Sequence, residues 1–253
     1  MMVHRRKRRG WWRLWTVLAV LTGGSAYLLH AEITAPERHA DGCPVGGAPT
    51  LTLTLIDASD RVEPSELAQL SEALRRMAAG ADPNTRLSVF TAGGGGDVDL
   101  LPVFSGCSQA RASGALTGAI YASEEARRFF ASVSDWLSEL GGVSRPTSPL
   151  FEVTERLLYR ADVVDAAKKH LILVSDLLQN TPAWSVYPGL QGYRAPGEGA
   201  LPELLDPPAE WDSVTVLMLQ RPEARHLQTK ALETLWIELL GHWSKTTPVL
   251  RKF

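Results

Sequence analysis

The sequence predicts a three-layer α/β domain, a mostly parallel central sheet with helices on both faces, preceded by one N-terminal transmembrane helix. Three observations carry this expectation. Short apolar runs alternate with longer stretches of helical periodicity, the pattern of strand–helix–strand units. Two of those runs end in aspartate: Leu51 to Ile56 leads into Asp57-Ala58-Ser59-Asp60, and Leu171 to Val174 into Ser175-Asp176. A basic head and an apolar stretch precede both.

The head comes first. Residues 1–10, with Arg13 just beyond, supply Arg5, Arg6, Lys7, Arg8 and Arg9 and no acid. Trp11 and Trp12 follow, then an apolar run from Leu14 to Leu29, so that residues 11–30 approach the roughly 20 needed to span a bilayer core. Basic residues stay on the cytoplasmic side, which places everything after His30 outside the cytoplasm, in the periplasm if the cell is bacterial. A second reading stays open, because Gly24-Ser25-Ala26 has the small residues of a signal-peptidase site. Without the six basic residues of this head, 20 Lys and Arg face 28 Asp and Glu, a net of −8. A body so acidic lacks the basic face that nucleic acid needs.

Residues 31–48, rich in Gly, Pro and charge, read as a linker. Cys43 closes it and Cys107 lies beyond the third apolar run, so an oxidising compartment would allow them to pair. The domain proper is expected over 49–246, with a short tail at 247–253. Leu51 to Ile56 is a strand; a helix starts near Pro64 and carries Leu67, Leu70, Leu74 and Met77 to Gly80. Arg86 to Thr91 is the next strand, and Leu100 to Phe104 another, antiparallel to it across the Gly93–Gly96 break. That tetraglycine lacks the Lys-Ser or Lys-Thr of a phosphate loop. Phe129 to Leu140 is an amphipathic helix, and Ser148-Pro149 opens the next, where the serine can cap. Strands follow at Leu171 to Val174 and Val214 to Leu219, then a last helix from Leu227 to Trp243. The segment 177–212 between those strands is long, rich in Pro and Gly, and carries Trp184, Tyr187, Tyr193 and Trp211.

Carboxylates at the ends of parallel strands converge on one crevice, and two of them there need a cation, a proton or an arginine. The order of loops resembles a von Willebrand factor type A domain, over roughly 49–245. The residues that carry the likeness are Asp57-Ala58-Ser59 after the first strand, Thr147-Ser148-Pro149-Leu150 opening a helix, and Ser175-Asp176 after a later strand. The resemblance implies a metal-ion-dependent adhesion site holding Mg²⁺ or a similar divalent cation. Asp57 and Ser59 would serve from the first loop, Thr147 or Ser148 from the second and Asp176 from the third. Arg61 stands where the family has a second serine, and a guanidinium there competes with a metal for Asp57 and Asp176. It also implies two strands after the third loop, whereas the sequence shows one clear one.

The function expected from this reading is binding of a protein partner through the crest of the sheet, with or without a metal. An acidic residue of the partner would complete the metal shell or meet Arg61. Asp60, Arg61, Glu152, Trp184, Tyr187 and Tyr193 would flank the contact, aromatic residues being favoured anchors. One alternative is a structural component of an envelope assembly with an inactive site. Another is a Mg²⁺-dependent phosphoryl-transfer hydrolase using Asp57, Asp60 and Asp176; Ser59 stands where such phosphatases carry a second aspartate, so catalysis is not the expectation. No Gly-x-Ser-x-Gly elbow points to a serine hydrolase either.

Overall fold

A computed structural model describes residues 15–25, 37, 39, 42–59, 64–82, 84–92, 100–108, 147–187, 204 and 206–252. Two compact units divide the chain, Met1–Arg38 and His39–Phe253. In the first, residues 15–25 are helical, with Trp15, Val17, Leu18, Val20 and Leu21 all exposed. Two of its three hydroxyls bond back along the helix, Thr22 donating to the carbonyl of Leu18 and Ser25 to that of Leu21. Among the described residues no helix is long and apolar enough to cross a membrane. The rest of 11–30 lies outside them, as do Asp60, Arg61, Tyr193, the tetraglycine and the helix expected at 129–140.

The second unit is built on one six-stranded sheet. Its strands are β1 (Thr50–Asp57), β2 (Thr85–Ala92), β3 (Phe104–Cys107), β4 (Lys168–Ser175), β5 (Ser213–Met218) and β6 (Val249–Lys252). The spatial order is β3-β2-β1-β4-β5-β6. All neighbours are parallel except β3, which runs antiparallel to β2 as expected. Four helices are described: α1 (Pro64–Gly80), α2 (Leu150–Leu157), α3 (Ala161–Asp165) and α4 (Lys230–His242).

Strand alternation sorts the core into two layers. Leu51, Leu53 and Leu55 of β1, with Leu171 and Leu173 of β4, pack with Phe151 and Val153 of α2 and Leu232, Leu235, Trp236 and Leu239 of α4. Ile56, Ile172, Val174 and Leu217 face the other way, onto Leu70 and Leu74 of α1. Helices thus cover both faces of the sheet, and Trp211 from the long segment is fully buried in the larger layer.

Three elements differ from the expectation. β3 begins at Phe104 because Pro102, with no N–H to give the ladder, and the exposed Leu101 interrupt the apolar run. The short α3 is an added helix, five residues long, where the sequence shows no separate helical period. The sheet also has a second strand after the third loop: β6, within the expected tail, pairs with β5 from Thr215–Val249 to Met218–Lys252. It is a four-residue edge, VLRK, mostly exposed and without an alternating pattern, so periodicity does not reveal it.

Cys43 and Cys107 form a disulfide, with their Cα atoms 4.8 Å apart. Gly42 turns into it with φ of 76°, and a Cβ at that position would lie 3.4 Å from the carbonyl oxygen of Cys107. The bridge fastens the end of the linker to the edge strand.

Candidate functional site

The two strand-end aspartates leave the sheet on opposite faces. Asp57 continues the series Leu51, Leu53, Leu55 and therefore points toward α2 and α4; Asp176 continues Ile172 and Val174 and points toward α1. The neighbour of Asp57 across the ladder is Ser175, one step past the Ile56–Val174 pair.

Asp57 is 5% exposed and fully engaged. Its Oδ1 accepts the amide of Ser59 at 3.0 Å, which shapes the turn after β1. Its Oδ2 accepts the hydroxyl of Ser175 at 2.8 Å and that of Ser148 at 3.0 Å. One carboxylate therefore ties three crest loops together. Hydrogen bonds of this kind to a carboxylate are the stronger class.

Ser148 does not cap α2. Pro149 is the N-cap residue and no side chain caps there. Ser148 turns to Asp57, and its backbone pairs with Asn180 in both directions, at 2.9 and 3.0 Å. The open amide of Phe151 in the first turn of α2 is met by Oε1 of Gln179 at 2.9 Å. Gln179, fully buried, then donates to Glu152, which also accepts the hydroxyl of Thr181 at 2.7 Å. Glu152 thus belongs to the loop after β4, away from Asp57. Thr147 is half-buried.

Asp176, 3% exposed, holds its own turn by accepting the amide of Leu178 at 2.9 Å. Its Oδ2 lies 3.5 Å from Nε of Arg221, whose Nη1 meets both carboxylate oxygens of Glu66 at 2.8 and 2.9 Å. Arg221 comes from the loop after β5 and Glu66 from the first turn of α1. Gln228 pins that loop: its Nε2 donates to the carbonyls of Asp176 and Leu219, and its Oε1 accepts the amide of Arg221. Among the described residues the positive charge at Asp176 is Arg221.

Between the two aspartates, Leu177 adopts φ of 66°, a region L-residues with bulky side chains rarely occupy. Its amide is held by Ser175 Oγ at 2.8 Å, its carbonyl by the indole N–H of Trp236 at 2.9 Å, and its side chain is fully buried. Strain of about 1–3 kcal/mol persists only where the surroundings over-determine it.

The other candidates are aromatic. Trp184 is half-buried, packed edge-on against Phe151 with ring centroids 5.8 Å apart and tilted against Trp236 at 5.8 Å. Tyr187 is 49% exposed on the same loop. Sequence reasoning missed Ser175, Gln179, Arg221 and Gln228. Strand parity offered a signal for Ser175, since it alternates with Leu171 and Leu173; nothing local marks the other three.

The described donors do not by themselves fit a resident divalent cation. Such an ion takes about six oxygens with lone pairs to spare. Here Asp57 already accepts three hydrogen bonds, while Asp176 lies on the opposite face beside a guanidinium. Among the described residues no group of three or more His, Cys, Asp or Glu side chains could hold a metal.

No family model and no curated protein matches the chain. Solved structures similar to it include an aerotolerance-related membrane protein from Bacteroides fragilis, at 10% identity and TM-score 0.41, covering 81% of this chain and 91% of that one. A von Willebrand factor type A protein from Catenulispora acidiphila aligns at 11% identity and TM-score 0.39, over 81% of this chain and 39% of that one. BatB from Bacteroides thetaiotaomicron aligns at 14% identity and TM-score 0.33, over 69% and 68% of the two chains. The order of the strands, the helices on both faces and the three loops meeting at Asp57 make the fold von Willebrand factor type A-like.

Proposed function

We propose that this chain is a membrane-tethered, extracytoplasmic adhesion-type domain that binds a protein partner through the crest of its sheet without a resident metal. The observation that carries the proposal is Asp57, a buried carboxylate whose three in-chain donors come from three separate crest loops. Such a knot costs desolvation and confers a single arrangement on the loops, which is what a recognition surface needs. Tyr187 stands exposed on the loop so held, an amphipathic anchor of the kind favoured in interfaces. The same saturation weighs against Asp57 as a nucleophile, since both of its oxygens are engaged.

Tethering is supported by the helix at 15–25, whose large apolar side chains are exposed and whose Thr22 and Ser25 hydroxyls bond back to the carbonyl four residues earlier. That arrangement leaves few open polar groups in lipid. The Cys43–Cys107 bridge supports an oxidising compartment.

The test is quantitative cross-linking of the full chain in its native membrane, comparing Tyr187→Ser with Tyr159→Ser. Tyr159 is equally exposed, just past the far end of α2. Partner recovery should fall with Tyr187→Ser alone; equal recovery from both variants would mean the crest is not the contact, and the domain a spacer in an assembly.

A further inference from the structure

A pocket of about 580 Å³ opens at the carboxyl ends of β5 and β6, lined by Arg221, Arg225, Lys252, Gln220, Gln228 and Pro222. We propose that it receives an aspartate or glutamate side chain from an acidic segment of the partner protein. The proposal rests on the crest-binding reading and names the chemistry of what is bound.

The three cations are not equivalent. Arg221 is held between Glu66 and Asp176, and Lys252 is tied to Glu233 by a 2.6 Å contact. Arg225 is exposed and has no ion-pair partner among the described residues, Glu223 on the same turn included. One unopposed guanidinium beside two compensated cations suits a single negative charge, as on a carboxylate. A dianionic phosphate would call for more free positive charge. The exposed Gln220 amide adds a neutral donor, and Pro222 gives an apolar wall for the methylenes of a glutamate.

The turn that carries Arg225 is fixed before any ligand arrives. Ala224 donates to the carbonyl of Arg221 at 3.1 Å, and Leu227 and Gln228 to that of Ala224 at 2.8 and 3.1 Å. The side chain of Gln228 locks the turn to the ends of β4 and β5. Preorganisation removes the ordering cost that would otherwise oppose binding. Because Arg221 touches both the pocket and Asp176, the pocket is continuous with the crest. The surrounding body is acidic, with 20 Lys and Arg against 28 Asp and Glu beyond residue 13, so a local cationic mouth is where an acidic segment can land.

The probe is fluorescein-labelled octaglutamate, titrated by anisotropy against the full chain in detergent micelles. Arg225→Ala should weaken binding about tenfold, with affinity falling as salt rises, while Arg251→Ala leaves it unchanged. Arg251 is an exposed arginine of β6 outside the pocket lining. Wild-type affinity in Arg225→Ala overturns the proposal. So does displacement of the peptide by inorganic phosphate at far lower concentration than by acetate, which assigns the pocket to phosphate. Sedimentation showing that Arg225→Ala only dissolves a dimer would assign it to a second copy and likewise overturn the proposal. Because Tyr187→Ser reports on the crest separately in cross-linking, failure of the crest reading and failure of the pocket are distinguishable.

Discussion

Asp57 and Asp176 are the same residue type at the ends of adjacent strands, yet they are stabilised by different physics. Asp57 relies on two hydroxyls and an amide. Replacing it by alanine leaves buried Ser148 and Ser175 hydroxyls without their acceptor, at a cost of about 2–4 kcal/mol read from urea unfolding. Asp176 is paired with Arg221, so Arg221→Met removes the guanidinium that two carboxylates share and should cost about 3–5 kcal/mol, partly recovered when Asp176→Asn and Glu66→Gln are added. Trp236→Phe keeps an aromatic side chain but leaves a small cavity and orphans the Leu177 carbonyl, and at least about 1–3 kcal/mol should be lost in the same assay. A leucine with positive φ tolerates that loss poorly, since the bond helps hold the strained turn.

The elements were legible where the sequence repeats itself and obscure where contacts are distant. β1, β4, β5, α1 and α4 announce themselves by period, and strand parity, followed to the last residue of β1 and one residue past β4, also sends Asp57 and Asp176 to opposite faces. The expectation of a shared crevice overlooked that step. The partners of the aspartates were hidden for another reason: Ser148 and Arg221 lie 91 and 45 positions from the carboxylates they meet, and a capping serine looks the same as a tying one. β6 escaped notice because an edge of four residues has too few turns of alternation. It is nonetheless bound to α4, where Glu233 receives Lys252 at 2.6 Å and Lys230 at 3.2 Å. Burial raises the pKa of Glu233, but these two lysines outweigh it and hold the carboxyl below its ordinary 4.5. Burial likewise raises Asp212 and is outweighed by Lys245 and the amide of Lys169, leaving it below 3.8. A folded-state pKa below the unfolded one contributes stability above the unfolded value and loses it as pH falls through the folded one. The melting temperature should therefore drop on acidification from about pH 5 downward. Glu233→Gln should flatten part of that slope.

At the scale of the molecule, the disulfide closes a separation of 64 residues between the linker and the sheet edge. Chain-entropy arguments give such a link about 4 kcal/mol, so the Cys43→Ser/Cys107→Ser pair should melt well below the native chain and be unaffected by reductant. Under the proposed reading, where the resemblance implies a bound cation between the loops, hydroxyls serve Asp57 and a guanidinium from the loop after β5 serves Asp176. A cation carried by the chain cannot be chelated away. The most direct test is partner recovery by cross-linking from native membranes in EDTA and in millimolar Mg²⁺. Equal recovery in both is the result this account requires; recovery lost in EDTA, restored by Mg²⁺ and abolished by Asp57→Asn would contradict it.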